Sequence, residues 1–234
     1  MKAILYICHG TRSKKGAEEA KSFLTRVIER INVPIQEISF LELTEPSIEC
    51  GFKRCVERGA LEITVVPIFL LAAGHIKEDI PLALAGLQKK YPNVEINIKN
   101  PFGVQEEILD AMAELVSKEA GGLTERDSIL LIGRGSSDPD LHVSFKKIIE
   151  GMKERLQNPF VSVCYMAAAE PDFHQGYDEA LIKTLGRVIV VPYLLFSGLL
   201  LNEINHKAKN DQKVIVTGPL TQHRIIEDLV VRKI

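Results

Sequence analysis

Several features that mark common functional classes are absent from this sequence. None of its four cysteines forms a C-x-x-C pair, which argues against a zinc ribbon or a cysteine-ligated cluster. The longest largely apolar runs, 63–74 and 188–201, each contain a proline and fall short of the roughly 18 residues that a membrane span needs. The apolar start, 3–8, is too short for a signal peptide, so we expect a cytoplasmic protein with reduced thiols.

The sequence also lacks a strong charge of either sign. It has 29 Lys and Arg against 31 Asp and Glu, a net charge of −2, and the two signs are interspersed. Partners that bind through a basic surface, such as nucleic acid or an anionic membrane, are therefore not expected. The 234 residues, 46% of them hydrophobic, suffice for one large core or two small ones.

What the sequence does contain is an internal repeat. Three separated anchors share an offset of 125 residues: 4–10 with 129–135, 45–46 with 170–171, and 65–67 with 190–192. A single spacing maintained over three anchors indicates a gene duplication. We therefore divide the sequence into an N-terminal half, 1–122, which carries the candidate metal site, and a C-terminal half, 123–234, with a linker near 121–127.

Each half alternates between apolar runs and helical periodicity. The predicted strands are 3–8, 34–41, 61–67 and 94–98 in the first half, and 128–133, 160–166, 187–192 and 213–217 in the second. Pro46 is predicted to lie in the first turn of a helix that ends at Gly59. Strands that alternate with helices form parallel sheets, so we predict two duplicated, doubly wound (flavodoxin-like) α/β domains, each with a four-stranded parallel sheet flanked by helices.

Three side chains of the first half are candidates for a metal site. His9 follows the first predicted strand, Glu42 follows the second, and His75 follows the third strand and its loop, at the start of a helix. Ligands of doubly wound sheets bind at this carboxyl edge. Two imidazoles and a carboxylate suit a borderline ion such as Fe²⁺, Co²⁺ or Ni²⁺.

The repeat strengthens the case for the two histidines. At offset 125, the position of His9 holds Arg134 and that of His75 holds Leu200, whereas glycine and proline anchors persist in both halves. A scaffold role would require the same residues twice, so the loss of both histidines from the copy favours a functional role.

The glycine-rich turn 133–138 has another interpretation. A turn of this kind can hold a phosphate or carboxylate. The dinucleotide pattern fails at its last position, however, where Asp138 stands and is expected to cap the next helix. Arg134 remains a candidate for an anionic substrate group, and the alternative is a plain surface residue.

The ordered set of motifs resembles the sirohydrochlorin chelatase family, the small cofactor-free (class II) chelatases. The resemblance rests on His9-Gly10-Thr11-Arg12, on Phe40-Leu41-Glu42-Leu43, on His75-x-Lys77-x-Asp79-Ile80-Pro81 and on Ile132–Pro139. It covers nearly the whole chain, and it is strongest with the long, two-domain ferrochelatases of Bacillus-type bacteria. Some relatives carry another histidine where this chain has Glu78.

The resemblance implies insertion of Fe²⁺ into sirohydrochlorin, with release of two pyrrole protons. It implies that His9 and His75 bind the metal, that Glu42 assists, and that no organic cofactor takes part. Co²⁺ or Ni²⁺ can substitute for Fe²⁺. We expect basic side chains to hold the substrate carboxylates, the candidates being Arg12, Lys14, Lys77 and Arg134. Since one chain supplies two halves, a monomer is expected.

Two other functions remain open at this stage. A cobaltochelatase of cobalamin synthesis would use the same ligands, because both metals accept them. A metal- or tetrapyrrole-binding carrier without turnover would share the architecture, because a fold does not determine a function.

Overall fold

A computed structural model of the chain describes residues 1–72 and 75–234, with only the backbone described at His75 and Ile76. Its strands are Lys2–Cys8 (β1), Ile35–Phe40 (β2), Glu62–Pro67 (β3), Glu95–Ile98 (β4), Ser128–Gly133 (β5), Val161–Tyr165 (β6), Val188–Pro192 (β7) and Val214–Val216 (β8). Its α-helices are Lys14–Ile28 (α1), Ile48–Glu57 (α2), Ile80–Lys90 (α3), Glu106–Ala120 (α4), Asp140–Leu156 (α5), Phe173–Lys183 (α6), Leu199–Ala208 (α7) and Ile225–Arg232 (α8). A π-helical turn, His75–Asp79, leads into α3.

The strands form two parallel sheets of the same topology. The order is β2-β1-β3-β4 in the first and β6-β5-β7-β8 in the second. In each sheet the first strand is central and almost wholly buried, as its continuous apolar sequence requires. The prediction of two duplicated doubly wound domains is confirmed, and the strand boundaries agree within about two residues.

One local prediction is wrong. Pro46 lies outside the helix that it was expected to open, because α2 begins at Ile48. The Ser47 side chain accepts a hydrogen bond from the Cys50 backbone N–H and so supplies the N-cap. Pro46 instead contributes its carbonyl, which accepts a hydrogen bond from the Phe40 backbone N–H. The helix start is therefore determined by the serine cap.

The chain folds into two compact units that differ from the two halves of the sequence. Unit 1 comprises 1–103 with 226–234, and unit 2 comprises 104–225. The predicted halves, 1–122 and 123–234, therefore do not coincide with these units. The difference lies in the last helix of each half: α4 belongs to unit 2, and nearly all of α8 belongs to unit 1.

We call this difference the exchange of α4 and α8. An ion pair connects each of these helices to the unit in which it lies. In unit 1, Arg30 of α1 pairs with Asp228 of α8. In unit 2, Arg155 of α5 pairs with Asp110 of α4. Arg30 and Arg155 are 125 residues apart, so they occupy the same place in the repeat. The two units thus hold their exchanged helices in the same way. None of the helices in the described parts of the chain is long and apolar enough to cross a membrane.

Candidate metal site

The first site residue lies directly after the central strand of unit 1. His9 follows the last residue of β1, and Gly10 then adopts a left-handed conformation with φ of 94°. A Cβ atom at Gly10 would lie 1.7 Å from the Glu42 carbonyl oxygen, so only glycine fits here. This close approach brings the loop after β2 against the end of β1.

Glu42 meets His9 through both backbone and side chain. The Glu42 backbone N–H donates to the His9 carbonyl oxygen at 3.0 Å. The Glu42 Oε1 atom lies 3.3 Å from His9 Nδ1, an atom that is buried. The His9 side chain is 23% exposed and that of Glu42 44% exposed, so the pair is accessible from solvent. A carboxylate beside Nδ1 favours the tautomer whose Nε2 can coordinate a metal.

An aromatic ring lies beside the His9 ring, and a buried cysteine precedes His9 in the chain. The Phe69 ring lies 6.0 Å away between centroids, with the two planes tilted by 34°. The neighbouring Cys8 thiol is buried, and burial raises its pKa to about 12. With no metal bound, the Cys8 thiol therefore stays protonated at neutral pH. The chemistry of this edge rests on imidazole and carboxylate.

A threonine ties the two loops together. The Thr44 hydroxyl accepts from the Thr11 backbone N–H and donates to the Thr11 carbonyl oxygen, both at 2.9 Å. The loop after β2 is thereby fastened two residues beyond His9. Sequence reasoning did not identify Thr44.

The backbone of His75 lies at the start of the π-helical turn that precedes α3. Its side chain lies outside the described residues, so the three-residue site of His9, Glu42 and His75 remains a prediction. Within the described part of the chain, no cluster of three or more metal-binding side chains is present. The part that the structure brings together is the His9–Glu42 pair.

The four basic candidates for substrate binding are all exposed. In unit 1, Arg12 follows the His9 turn, Lys14 opens α1, and Lys77 lies in the π-helical turn. In unit 2, Arg134 follows β5. Their role in binding the substrate remains a prediction.

Packing accounts for the glycines of the turn after β5. A Cβ at Gly133 would lie 2.6 Å from the Phe145 ring, and one at Gly135 would lie 1.6 Å from the Ala167 carbonyl oxygen. Asp138 accepts a hydrogen bond from the Asp140 backbone N–H at the start of α5, close to its expected capping role. These glycines are thus required by close contacts within the chain, and a phosphate need not be invoked to explain them.

Unit 2 repeats the backbone of the site but not its chemistry. Ala167 occupies the place of Glu42, and its backbone N–H donates to the Arg134 carbonyl oxygen at 3.0 Å, as Glu42 does to His9. Leu43 has φ of 60° and its counterpart Ala168 has φ of 52°. The carboxylate and the imidazole are both missing from this copy.

The copy in fact replaces three consecutive side chains by alanine. Glu42-Leu43-Thr44 corresponds to Ala167-Ala168-Ala169 at offset 125. This replacement is visible in the sequence at the same offset that shows the loss of the two histidines. The copy keeps the left-handed residue and the backbone hydrogen bond of this loop without these three side chains, which points to a function for them in unit 1.

Fold and site together define a class: a duplicated α/β protein with an imidazole–carboxylate pair at the carboxyl edge of one sheet. The family model CbiX matches residues 3–119 and again residues 128–234. The chain belongs to the CbiX family.

Three sirohydrochlorin chelatases are similar to this chain in sequence. The sirohydrochlorin ferrochelatase of Priestia megaterium is 43% identical over 95% of this chain and 85% of its own length. That of Bacillus subtilis (strain 168) is 43% identical over 88% of this chain and 79% of its own length. The sirohydrochlorin cobaltochelatase of Priestia megaterium is 31% identical over 89% of this chain and 69% of its own length.

The structure of SirB from Bacillus subtilis with Fe³⁺ superimposes with a TM-score of 0.86 and 38% identity, covering 99% of this chain and 93% of that one. A cobalt complex of the Bacillus subtilis (subspecies spizizenii) chelatase SirB gives a TM-score of 0.83 and 35% identity, with the same coverage.

Proposed function

We propose that this protein is a sirohydrochlorin ferrochelatase, which inserts Fe²⁺ into sirohydrochlorin to give sirohaem and two protons. The observation that carries the proposal is the His9–Glu42 pair at 3.3 Å, at the carboxyl edge of a chain 43% identical to two sirohydrochlorin ferrochelatases. The reaction neither changes the oxidation state of the metal nor transfers a group, so we propose that no organic cofactor is needed.

The proposed chemistry follows from the two side chains. A neutral His9 imidazole offers a lone pair to the incoming Fe²⁺, with its Nε2 atom as donor and its Nδ1 atom facing Glu42. The Glu42 carboxylate balances the metal charge and can accept one of the two pyrrole protons. We assign the third metal contact to His75, whose backbone begins the π-helical turn before α3.

The substrate is a polycarboxylate, which suits a rim of basic side chains. We propose that Arg12, Lys14, Lys77 and Arg134 pair with its carboxylates, since each is exposed and charged. We also propose that the active species is a cytoplasmic monomer, because the duplication places two sheets in one chain.

An anaerobic assay of the purified protein with sirohydrochlorin and Fe²⁺ tests the proposal. We expect the absorption spectrum of sirohydrochlorin to change with many turnovers per chain. A change limited to one equivalent per chain would instead indicate a carrier. Light scattering during the assay tests the monomer, and activity confined to a dimer fraction would contradict it.

Cobaltochelatase is the second candidate, favoured by the 31% identity to the Priestia cobaltochelatase and by the cobalt complex of SirB. The higher identity to the ferrochelatases favours iron. Competition between Fe²⁺ and Co²⁺ at equal free concentrations decides between them, and preferential formation of the cobalt product would establish the second candidate.

A further inference from the structure

The residue after Glu42, Leu43, combines three properties that bear on the site. Leu43 has a left-handed backbone, with φ of 60°, where a residue with a side chain is disfavoured. Its side chain is apolar and yet 54% exposed. It also lines a recess of about 250 Å³ in the loop after β2, together with Glu42 and Thr44.

The corresponding loop of unit 2 shows that the backbone conformation does not require a leucine side chain. Ala168 holds the same left-handed conformation in unit 2, with φ of 52°, so the conformation belongs to the duplicated loop. The isobutyl group exists only in unit 1, beside the carboxylate that pairs with His9. An exposed isobutyl group contributes little to the fold, and its presence beside the His9–Glu42 pair, in a loop whose copy has alanine at this position, favours a ligand contact.

We propose that Leu43 is a substrate contact, which packs against the apolar face of the tetrapyrrole while Glu42 faces the metal. This inference rests on the proposed function, because it takes the macrocycle as the ligand. A flat conjugated ring with charged rim groups offers its apolar surface only over its face. An exposed leucine beside the metal-binding pair suits that face, as basic side chains suit the rim.

The test compares Leu43→Ala and Leu43→Gly with Leu61→Ala. Leu61 is a matched control, because it is 62% exposed in the same unit but lies at the start of β3, at the opposite edge of the sheet. Each variant is titrated with sirohydrochlorin in the absence of metal, followed by absorption, and then assayed with sirohydrochlorin and Fe²⁺ varied separately.

We expect both Leu43 variants to bind sirohydrochlorin about tenfold more weakly, because roughly half of a leucine side chain loses its apolar contact. The half-saturating Fe²⁺ concentration should stay unchanged, and Leu61→Ala should match the unsubstituted protein. The melting temperature should stay the same in Leu43→Ala and stay the same or rise in Leu43→Gly, since glycine accepts the left-handed conformation.

Undiminished sirohydrochlorin binding in Leu43→Ala would overturn this inference while leaving the proposed function intact. A lower melting temperature with equal losses for metal and tetrapyrrole would also overturn it, by showing a structural role. Failure of the unsubstituted protein to bind sirohydrochlorin at all would overturn the proposed function itself, and this inference with it.

Discussion

At the scale of single residues, the proposed site can be tested first at His9. We expect His9→Ala to reduce metal insertion on the order of 100-fold or more, because the metal loses a ligand and Glu42 loses its partner. The free energy of unfolding should change by less than about 1 kcal/mol, since the side chain is partly exposed. His206→Ala, an exposed histidine of α7, is the control. Normal turnover in a folded His9→Ala protein would refute the assignment.

The role of the negative charge on Glu42 can be tested with a substitution that keeps the shape of the side chain. Glu42→Gln keeps an oxygen that can face His9 Nδ1 but removes the negative charge. If the carboxylate balances the metal charge or accepts a pyrrole proton, metal affinity or turnover should fall about 10- to 100-fold.

Glu45→Gln is the control for this change, because a glutamine oxygen can still accept the hydrogen bond from the Ser47 backbone N–H. Equal activity of Glu42→Gln and the unsubstituted protein would reduce Glu42 to a residue that only orients His9.

Among the elements, the loop after β2 contains Glu42, and the Thr44 hydroxyl connects this loop to Thr11. We expect Thr44→Val to lower kcat several-fold, because the Thr11 backbone N–H and carbonyl lose their shared partner and the turn after His9 loosens. The cost in stability should be no more than about 1–2 kcal/mol, since the copy holds its loop with Ala169.

Thr44→Ser should recover most of the activity because it restores the hydroxyl. The measurement is steady-state kinetics beside a thermal melt of each variant. If Thr44→Ser were as impaired as Thr44→Val, packing of the methyl group rather than the hydroxyl would be responsible.

The sequence predicted most elements because their local signals are strong. Buried strands such as β1 and β5 are nearly continuous apolar runs, and both runs occur at the same offset in the repeat. The proximity of His9 and Glu42 was also foreseeable, because β1 and β2 are neighbours and both residues follow the carboxyl ends. Helix starts were harder, since the cap at Ser47 overrides the preference of Pro46.

The exchange of α4 and α8 could not be predicted from periodicity. The pattern of α4 shows which of its faces is apolar, through residues such as Ile108 and Met112, but does not show which sheet that face covers. That choice depends on contacts far apart in the sequence, including the pairing of Arg155 with Asp110.

At the scale of the whole molecule, Asp127 holds together distant segments of unit 2. Its buried carboxylate pairs with the Arg187 side chain and accepts the Arg187 backbone N–H, and Arg187 in turn donates to the carbonyls of Ala120 and Gly122. The hydrogen bonds to the Asp127 carboxylate hold its pKa well below the usual range, and the bond from the Arg187 side chain contributes most. The linker after α4 is thereby fixed to the start of β7.

This lowered pKa determines how stability should depend on pH. A carboxyl whose pKa is lower in the folded state stabilises the protein above its unfolded pKa of 3.8, and that contribution is lost as the pH falls through the folded value. At pH 7 we expect Asp127→Asn to lower the free energy of unfolding by about 2–4 kcal/mol. The difference should shrink below about pH 4, where the unfolded carboxyl takes up its proton.

Urea unfolding at pH 7, 5 and 3.5 measures this difference, and Glu125→Gln, an exposed neighbour, is the control. A loss of stability in Asp127→Asn that stayed constant over this range would show that the charge of Asp127 is unimportant.

The placement of α8 in unit 1 has a consequence for how the protein is made. Residues 226–234 complete unit 1, but a ribosome adds them only after all of 104–225. At about 5–20 residues per second, that delay is roughly 6–25 s. Until then Arg26 and Arg30 lack their ion-pair partners Glu227 and Asp228. The side chains of Ile226 and Val230, which are buried in the finished protein, are also absent. The unit that contains the His9–Glu42 pair is therefore begun first, but it is completed only after all of 104–225 has been synthesised.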